Sequence, residues 1–269
     1  MHYDPIKNVF ARFIKSNRIL RKFFYSLLNL FFLRSWYIRK VLRKIIPEIQ
    51  NANPNILDAG TGFGQYAYFI AKNFPSSKIL AVDIKEDYLK DASEFFQKSN
   101  LKNVEFKIED LTKMNFENEF DLILCVDVME HIEDDLSVLK NFYSALRQNG
   151  YLVINTPSSF GGSDAHNQNE ESFIGEHFRN GYSKEELFEK LSRSGFDSFD
   201  GFYTYGFWGD KAWRIGIKYP MLLLNSSKLF LLFLPIYYLI TLPFFIFLNY
   251  LDINSKIDVG TGLIVIAKK

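Results

Sequence analysis

A chain of 269 residues suffices for one large α/β domain with attachments and a sizeable core, and its single Cys125 excludes both an intramolecular disulfide and a zinc-finger framework, pointing to a reducing compartment. The net charge of +1 conceals two opposed parts: residues 1–50 carry eleven Lys/Arg against two Asp/Glu, and residues 51–269 carry twenty-one against twenty-nine. A basic, aromatic-rich head on an acidic body suggests an acidic surface as partner, either anionic lipid or nucleic acid.

From Ile6 to Ile46 there is no acidic residue, and apolar side chains recur at helical spacing in Leu20, Phe23, Phe24, Leu27, Leu28 and Phe31, then in Ile38, Val41, Leu42, Ile45 and Ile46. Arg12, Lys15, Arg18, Arg21 and Lys22 flank the first face, and Arg39, Lys40, Arg43 and Lys44 the second. The uncharged run Phe23 to Leu33 is too short to span a bilayer and lacks the small-residue cleavage site of a signal peptide. Residues 1–50 are therefore expected to be amphipathic helices lying in a membrane interface; the alternative is a helical cap packed on the core.

Asn55-Ile56-Leu57-Asp58-Ala59-Gly60-Thr61-Gly62-Phe63-Gly64 reads as a buried strand running into a tight turn, where glycines let a ligand lie against the main chain. Apolar runs at Ile56 to Ala59, Lys78 to Val82, Val104 to Ile108, Phe120 to Val126 and Tyr151 to Asn155 alternate with helical patterns near Tyr66 to Asn73, Lys85 to Lys98 and Asp134 to Arg147. This is the rhythm of a doubly wound α/β fold, a mostly parallel sheet covered on both faces. Ligands in such sheets sit beyond the carboxyl ends of the strands, where Asp58, Asp83, Asp110 and Asp127 all fall.

The loop Ser158 to Tyr182 is long and polar and carries His166 and His177, which marks it as a functional segment. Ser183 to Glu186 is a capping box that opens a helix to Ser194, closed by Gly195. A strand near Phe199 to Tyr205 follows. Leu229 to Leu248 is a twenty-residue run without charge, long enough to cross a hydrocarbon core but interrupted by Pro235 and Pro243, which are expected to cut it into pieces. A last strand, Leu263 to Ala267, closes the chain. If that strand joins the sheet beside Phe199 to Tyr205, a single membrane crossing between them is excluded. The apolar insert must turn back as a helical hairpin or fold over the core as a lid. The expected division is thus 1–50 membrane-association segment, 51–205 ligand-binding core, 206–260 apolar insert and 261–269 last strand.

Leu57-Asp58-Ala59-Gly60-Thr61-Gly62-Phe63-Gly64, Val82-Asp83, Glu109-Asp110-Leu111 and Asp121-Leu122-Ile123-Leu124-Cys125 leading to Val128-Met129-Glu130-His131 together resemble the class I S-adenosylmethionine-dependent methyltransferases, over roughly Asn53 to Tyr205 plus Gly262 to Lys269. The glycine spacing departs from the GxGxxG of nicotinamide binders. The resemblance implies a Rossmann-like seven-stranded sheet and S-adenosylmethionine as cofactor. It implies that Gly60, Gly62 and Gly64 contact the methionine portion by their backbone, with Asp58 organising the turn. Asp83, with neighbouring Ile84, would hold the ribose hydroxyls; Asp110 and Leu111 would meet the adenine, and Cys125 and Val126 would floor the site beside the sulfonium.

Methyl transfer to a hydroxyl also needs a base. His131, just beyond the fourth strand, and His177, in the loop after the fifth, are the candidates. The run Cys125 to Ile132 is similar to a segment of the ubiquinone-pathway O-methyltransferases in which two acids and the histidine are associated with a divalent metal. Here Asp127 stands in place of a Glu, so no metal is expected and hydrogen bonding of Glu130 and His131 to the neighbouring loop is the preferred reading. The expected function is O-methylation of a lipophilic acceptor at the cytoplasmic face of the inner membrane, with an anionic membrane surface and not nucleic acid as partner. A non-catalytic membrane adaptor, and a methyltransferase acting on nucleic acid or a soluble small molecule, are the alternatives.

Overall fold

The computed structural model describes residues 18–161 and 178–269, so His166 and His177 lie outside the described residues. Two helices, α1 (Arg18–Phe31) and α2 (Leu33–Glu48), precede β1 (Asn55–Ala59), α3 (Gln65–Asn73), β2 (Lys78–Asp83), α4 (Glu86–Lys98), β3 (Val104–Ile108) and β4 (Phe120–Val126). They are followed by α5 (Asp135–Ala145), β5 (Leu146–Pro157), α6 (Lys184–Arg193) and β6 (Ser198–Thr204), and β7 (Gly262–Lys268) ends the chain. The strands pair in the order β3-β2-β1-β4-β5-β7-β6, all parallel except β7, which is antiparallel to both neighbours. The direction of winding reverses between β1 and β4, and the crevice beyond their carboxyl ends is where such sheets bind ligands.

The alternating pattern is realised almost as read. β5 begins earlier than Tyr151, because the chain leaves α5 straight into Leu146, which pairs with Phe120 across an irregularity in the β4 register. Ser183 caps α6, its hydroxyl accepting the Glu186 N–H at 3.0 Å, and Gly195 takes φ +104° at the exit, where few residues but glycine fit.

The head meets the core. On α2 the face Ile38, Val41, Leu42, Ile45 and Ile46 is buried with Ile56, Ile70, Ile79 and Leu122 in one apolar cluster. That stripe therefore takes the packed-cap alternative rather than facing a bilayer. On α1 the outer side chains Ile19 and Phe23 stay exposed, at 74% and 59%.

Between β6 and β7 the chain makes a helical excursion. An outgoing arm of α7 (Phe207–Trp213), a π-helical turn (Arg214–Lys218) and α8 (Tyr219–Ser226) leads through a 3-10 turn (Lys228–Leu232) to a return arm, α9 (Leu234–Asn254). Contacts run in opposite directions along the two arms: Gly209 N–H donates to Asp252 Oδ2 at 2.7 Å, and a side chain at Gly216 would strike Phe245. This is a hairpin. Pro235 does not cut the apolar run but starts α9, in the first turn where its missing N–H costs nothing. Pro243 lies inside α9 and the helix continues through it; the carbonyl it leaves without an intrahelical partner belongs to Leu239, whose side chain is 79% exposed.

Buried Asp252 fastens the base of this hairpin, accepting from Tyr37 Oη on α2 at 2.7 Å as well as from Gly209 N–H. Asp252→Ala removes the acceptor of the buried Gly209 N–H and leaves the Tyr37 hydroxyl only the Asp252 carbonyl, which it already reaches at 3.0 Å, and is expected to cost about 2 kcal/mol. Thermal unfolding of the detergent-purified chain checks this, and an unchanged midpoint contradicts the role given to Asp252.

Candidate active site

The turn after β1 is pinned to the end of β2. The N–H groups of Gly60 and Thr61 both donate to the Val82 carbonyl, at 2.9 and 2.8 Å. Gly60, Gly62 and Gly64 all adopt left-handed φ, +76°, +52° and +78°. A Cβ at Gly60 would lie 2.2 Å from Val128, the residue that follows β4 by two, so glycine there lets the two strand ends close up. At Gly62 an added Cβ meets nothing within 4 Å, which leaves that peptide open to a ligand.

Asp58 is buried beneath the turn, accepting from Thr61 Oγ1 at 2.6 Å and from the Ala67 N–H at 3.2 Å. Burial outweighs those hydrogen bonds and pushes its carboxyl up to about 6. Asp83 receives the Gly62 N–H on Oδ2 and the Lys85 N–H on Oδ1, each at 2.9 Å. One backbone donor per oxygen leaves each with lone-pair capacity, which suits a diol. Ile84 beside it is 67% exposed. Asp110 is more committed: Oδ1 accepts from the Thr112 N–H and hydroxyl at 3.0 and 2.7 Å and Oδ2 pairs with Lys113 at 3.3 Å, and the Thr112 hydrogen bonds pull its carboxyl below the ordinary range. Leu111 is buried next to it. Cys125 and half-buried Val126 end β4, where the floor was expected, and burial pushes the Cys125 thiol well up, which keeps it neutral.

Asp127 turns the chain at φ +53° and is held on three sides. Its N–H donates to the Asn155 carbonyl at 2.9 Å, Asn155 Nδ2 donates to Oδ1 at 2.6 Å, and Oδ2 pairs with the guanidinium of Arg34. Glu130 is buried, its carboxyl raised by burial, and accepts from Thr156 Oγ1 at 3.3 Å. Its carbonyl takes the N–H groups of Phe178 and Arg179 at 3.0 and 3.2 Å, tying the end of the long loop to the turn after β4. His131 is exposed on that turn. Among the described residues no three His, Cys, Asp or Glu side chains are grouped to hold a metal.

The head supplies site residues that no motif announced. Arg21 and Tyr25, both buried on α1, converge on the Phe63 carbonyl inside the glycine turn: Arg21 Nη2 donates to it at 2.8 Å and the Tyr25 hydroxyl donates to the same oxygen. Arg21 also pairs with Asp91 on α4. Burial pushes the Tyr25 hydroxyl up to about 12, so it remains a donor. Gln65, the first residue of α3, donates to Asn29 Oδ1 at 3.1 Å and to Ser35 Oγ at 2.8 Å. In the sequence Arg21 is one of several basic residues at helical spacing, with nothing local to single it out.

The Asp58 shift has a sign. With its folded pKa raised above the unfolded value of about 3.9, ionisation opposes folding, and the penalty grows as pH rises through the window from about 4 to 6. Asp58→Asn escapes it. Relative to wild type, the variant should gain about 2–3 kcal/mol between pH 4 and pH 7 in denaturant unfolding of the ligand-free protein. A difference that stays constant across this range contradicts the burial of an ionisable Asp58.

The site arranges an open peptide at Gly62, a carboxylate with spare acceptors at Asp83 and a closed floor at Cys125, a set that fits S-adenosylmethionine. The methyltransferase-domain family profile matches residues 50–197. A malonyl-(acyl-carrier protein) O-methyltransferase of Bacillus cereus is 30% identical over 148 residues, 51% of this chain and 53% of the relative. A ubiquinone biosynthesis O-methyltransferase of Acinetobacter baumannii is 26% identical over 108 residues, 39% of this chain and 44% of the relative. The chain thus spans about half the length, or less, of these curated relatives. Among solved structures, a Haemonchus contortus phosphoethanolamine N-methyltransferase 2 in complex with S-adenosyl-L-methionine superposes with TM-score 0.58 at 18% identity, covering 86% of this chain and 52% of that one, and shares the fold. The strand order, the left-handed glycine turn and the family match over more than half of the sequence place this chain in the class I S-adenosylmethionine-dependent methyltransferases.

Proposed function

We propose that this methyltransferase transfers a methyl group to an oxygen of a lipophilic acceptor at an anionic membrane surface, docking by its helical hairpin on the cytoplasmic face of the inner membrane. The observation that carries this reading is the apolar surface of the hairpin. At its tip Leu229, Leu231, Leu232 and Phe233 are 59–74% exposed, and along α9 Ile236, Leu239, Ile240, Phe244 and Phe247 are exposed as well. Only 11% of the most apolar window of α9 is buried, so this is not the core helix of a soluble domain. Lys211, Arg214, Lys218 and Lys228 lie on the outgoing arm and turn, with Asp210 the one acid among them, a charge pattern suited to anionic headgroups. Because the arms return to one end of the core, the hairpin fits monotopic insertion.

S-adenosylmethionine, when bound, supplies an electrophilic methyl group on a sulfonium. The protein holds the cofactor through the glycine turn and Asp83 and keeps water from the floor with Cys125. For a hydroxyl acceptor we assign His131, on the exposed turn after β4, as the proton-accepting group, with His177, which follows β5 in the sequence, as the second candidate.

Two measurements check this reading. Asp83→Asn, which keeps an acceptor oxygen for one of the two backbone N–H groups, should weaken S-adenosylmethionine binding by at least about tenfold in calorimetry; unchanged affinity contradicts the ribose assignment. Wild-type protein should float with anionic liposomes and methylate a chloroform-soluble species of a membrane extract from radiolabelled cofactor. Replacing Leu231 and Leu232 together by Asp should abolish flotation, and flotation of that variant at the wild-type level overturns the docking surface.

A further inference from the structure

Of the fourteen residues of α1 two are buried, Arg21 and Tyr25, and both end on one atom of the glycine turn, the Phe63 carbonyl oxygen. Phe24 and Leu28 pack alongside half-buried, while Ile19, Leu20 and Phe23 are exposed. The two buried side chains act as a unit. Arg21 Nε donates to the Tyr25 oxygen at 3.1 Å, so the single hydroxyl proton of the tyrosine is left for the carbonyl. The seat of the helix on the core is therefore largely a contact with the turn itself.

Phe63 stands between two left-handed glycines, Gly62 and Gly64. The neighbouring N–H groups have partners inside the turn and at its acid: Gly64 N–H donates to the Thr61 carbonyl at 2.9 Å, and Gly62 N–H to Asp83 Oδ2 at 2.9 Å. Glycines give such a segment access to several shapes, and the donors that hold the Phe63 carbonyl come from α1. Arg21 also reaches Asp91 on α4, the helix that begins three residues after Asp83, and Tyr88 of that helix lies against the Phe63 ring with centroids 4.5 Å apart. We infer that Arg21 and Tyr25 are positioning residues for the cofactor, acting through the Phe63 carbonyl rather than by contact, so that docking of α1 and binding of S-adenosylmethionine strengthen each other. Without the two donors a smaller fraction of the protein has the binding shape, and affinity falls by that fraction. By reciprocity, the bound cofactor must stabilise the docked helix by the same factor. This rests on the proposed role of the glycine turn and Asp83 in holding the cofactor.

The test uses the full chain in neutral detergent with S-adenosylhomocysteine as probe, read by calorimetry and by amide hydrogen exchange of α1. Tyr25→Phe keeps the ring against Tyr68 and Phe95, at centroid distances of 5.1 and 5.5 Å, and deletes only the hydroxyl. It should weaken binding about three- to tenfold, and Arg21→Lys, which keeps a cation for Asp91, should do the same. In wild type the probe should slow exchange of the α1 amides, and in both variants that protection should shrink. Tyr37→Phe deletes a buried hydroxyl bonded to the hairpin instead, and should leave affinity and α1 protection at wild-type values. Wild-type affinity in Tyr25→Phe and Arg21→Lys, an equal loss in Tyr37→Phe, or α1 exchange indifferent to the probe overturns the inference. Should Arg21→Lys fail to fold, Tyr25→Phe decides alone. Asp83→Asn separates the two readings: weakened binding there with none in Tyr25→Phe sinks only the role of α1, whereas no binding of the probe by wild type sinks the cofactor site as well.

Discussion

The placement of β7 between β5 and β6 governs what the rest of the chain can do. A strand that enters antiparallel to both neighbours must start at the edge where β6 ends. Everything between them is then a closed excursion from that edge. An apolar segment as long as α9, which in isolation passes for a membrane span, is obliged by this pairing to be one arm of a hairpin. The same edge carries the glycine turn, Asp83 and Asp127, so the cofactor crevice and the apolar hairpin share one end of the sheet. Proximity of chemistry and hydrophobic surface follows from strand order.

The basic head has two uses. α2 buries its apolar stripe against the sheet, and Arg21 and Tyr25 of α1 spend their polar groups on one main-chain oxygen, that of Phe63. A carbonyl in a left-handed glycine turn has no strand or helix partner to expect, so a donor brought from elsewhere fixes the turn's shape. The buried guanidinium is balanced by Asp91 and stacks on Phe95 at 5.2 Å. The charge asymmetry between head and body is thus partly consumed internally, while Arg18, Ile19 and Phe23 of α1 remain on the outside.

Much of the sheet was legible in the sequence because its signals are local. Runs such as Leu122 to Val126 are apolar throughout since both faces are covered, and at the crevice end β1 is followed by Gly60, β2 ends in Asp83, and β3 and β4 are followed within two residues by Asp110 and Asp127. The glycine positions were legible for the same reason, and their three positive φ values match the spacing. What could not be read are pairings across long stretches of chain: Arg21 with Phe63, Arg34 with Asp127, Tyr37 with Asp252. No periodicity encodes them, and a basic residue that will be buried looks in sequence like one that will be solvated. Pro235 misled for a different reason, since a proline that begins a helix and one that breaks it are distinguished only by where the preceding turn falls. Asp110 was found, but its commitment to Thr112 depends on a turn geometry that the motif alone does not contain.

Thr204 and Gly262 stand opposite each other in the β6–β7 register. The ends of the whole excursion are therefore as close as two residues of a ladder, and its removal or exchange would leave the strand pairing intact, requiring only a tight turn in its place. A fold with such a seam can carry a helical hairpin of this kind without rewriting the half that holds the glycine turn. Asp252 with Tyr37 is then the fastening that holds the hairpin to the head, apart from the strand ladder itself.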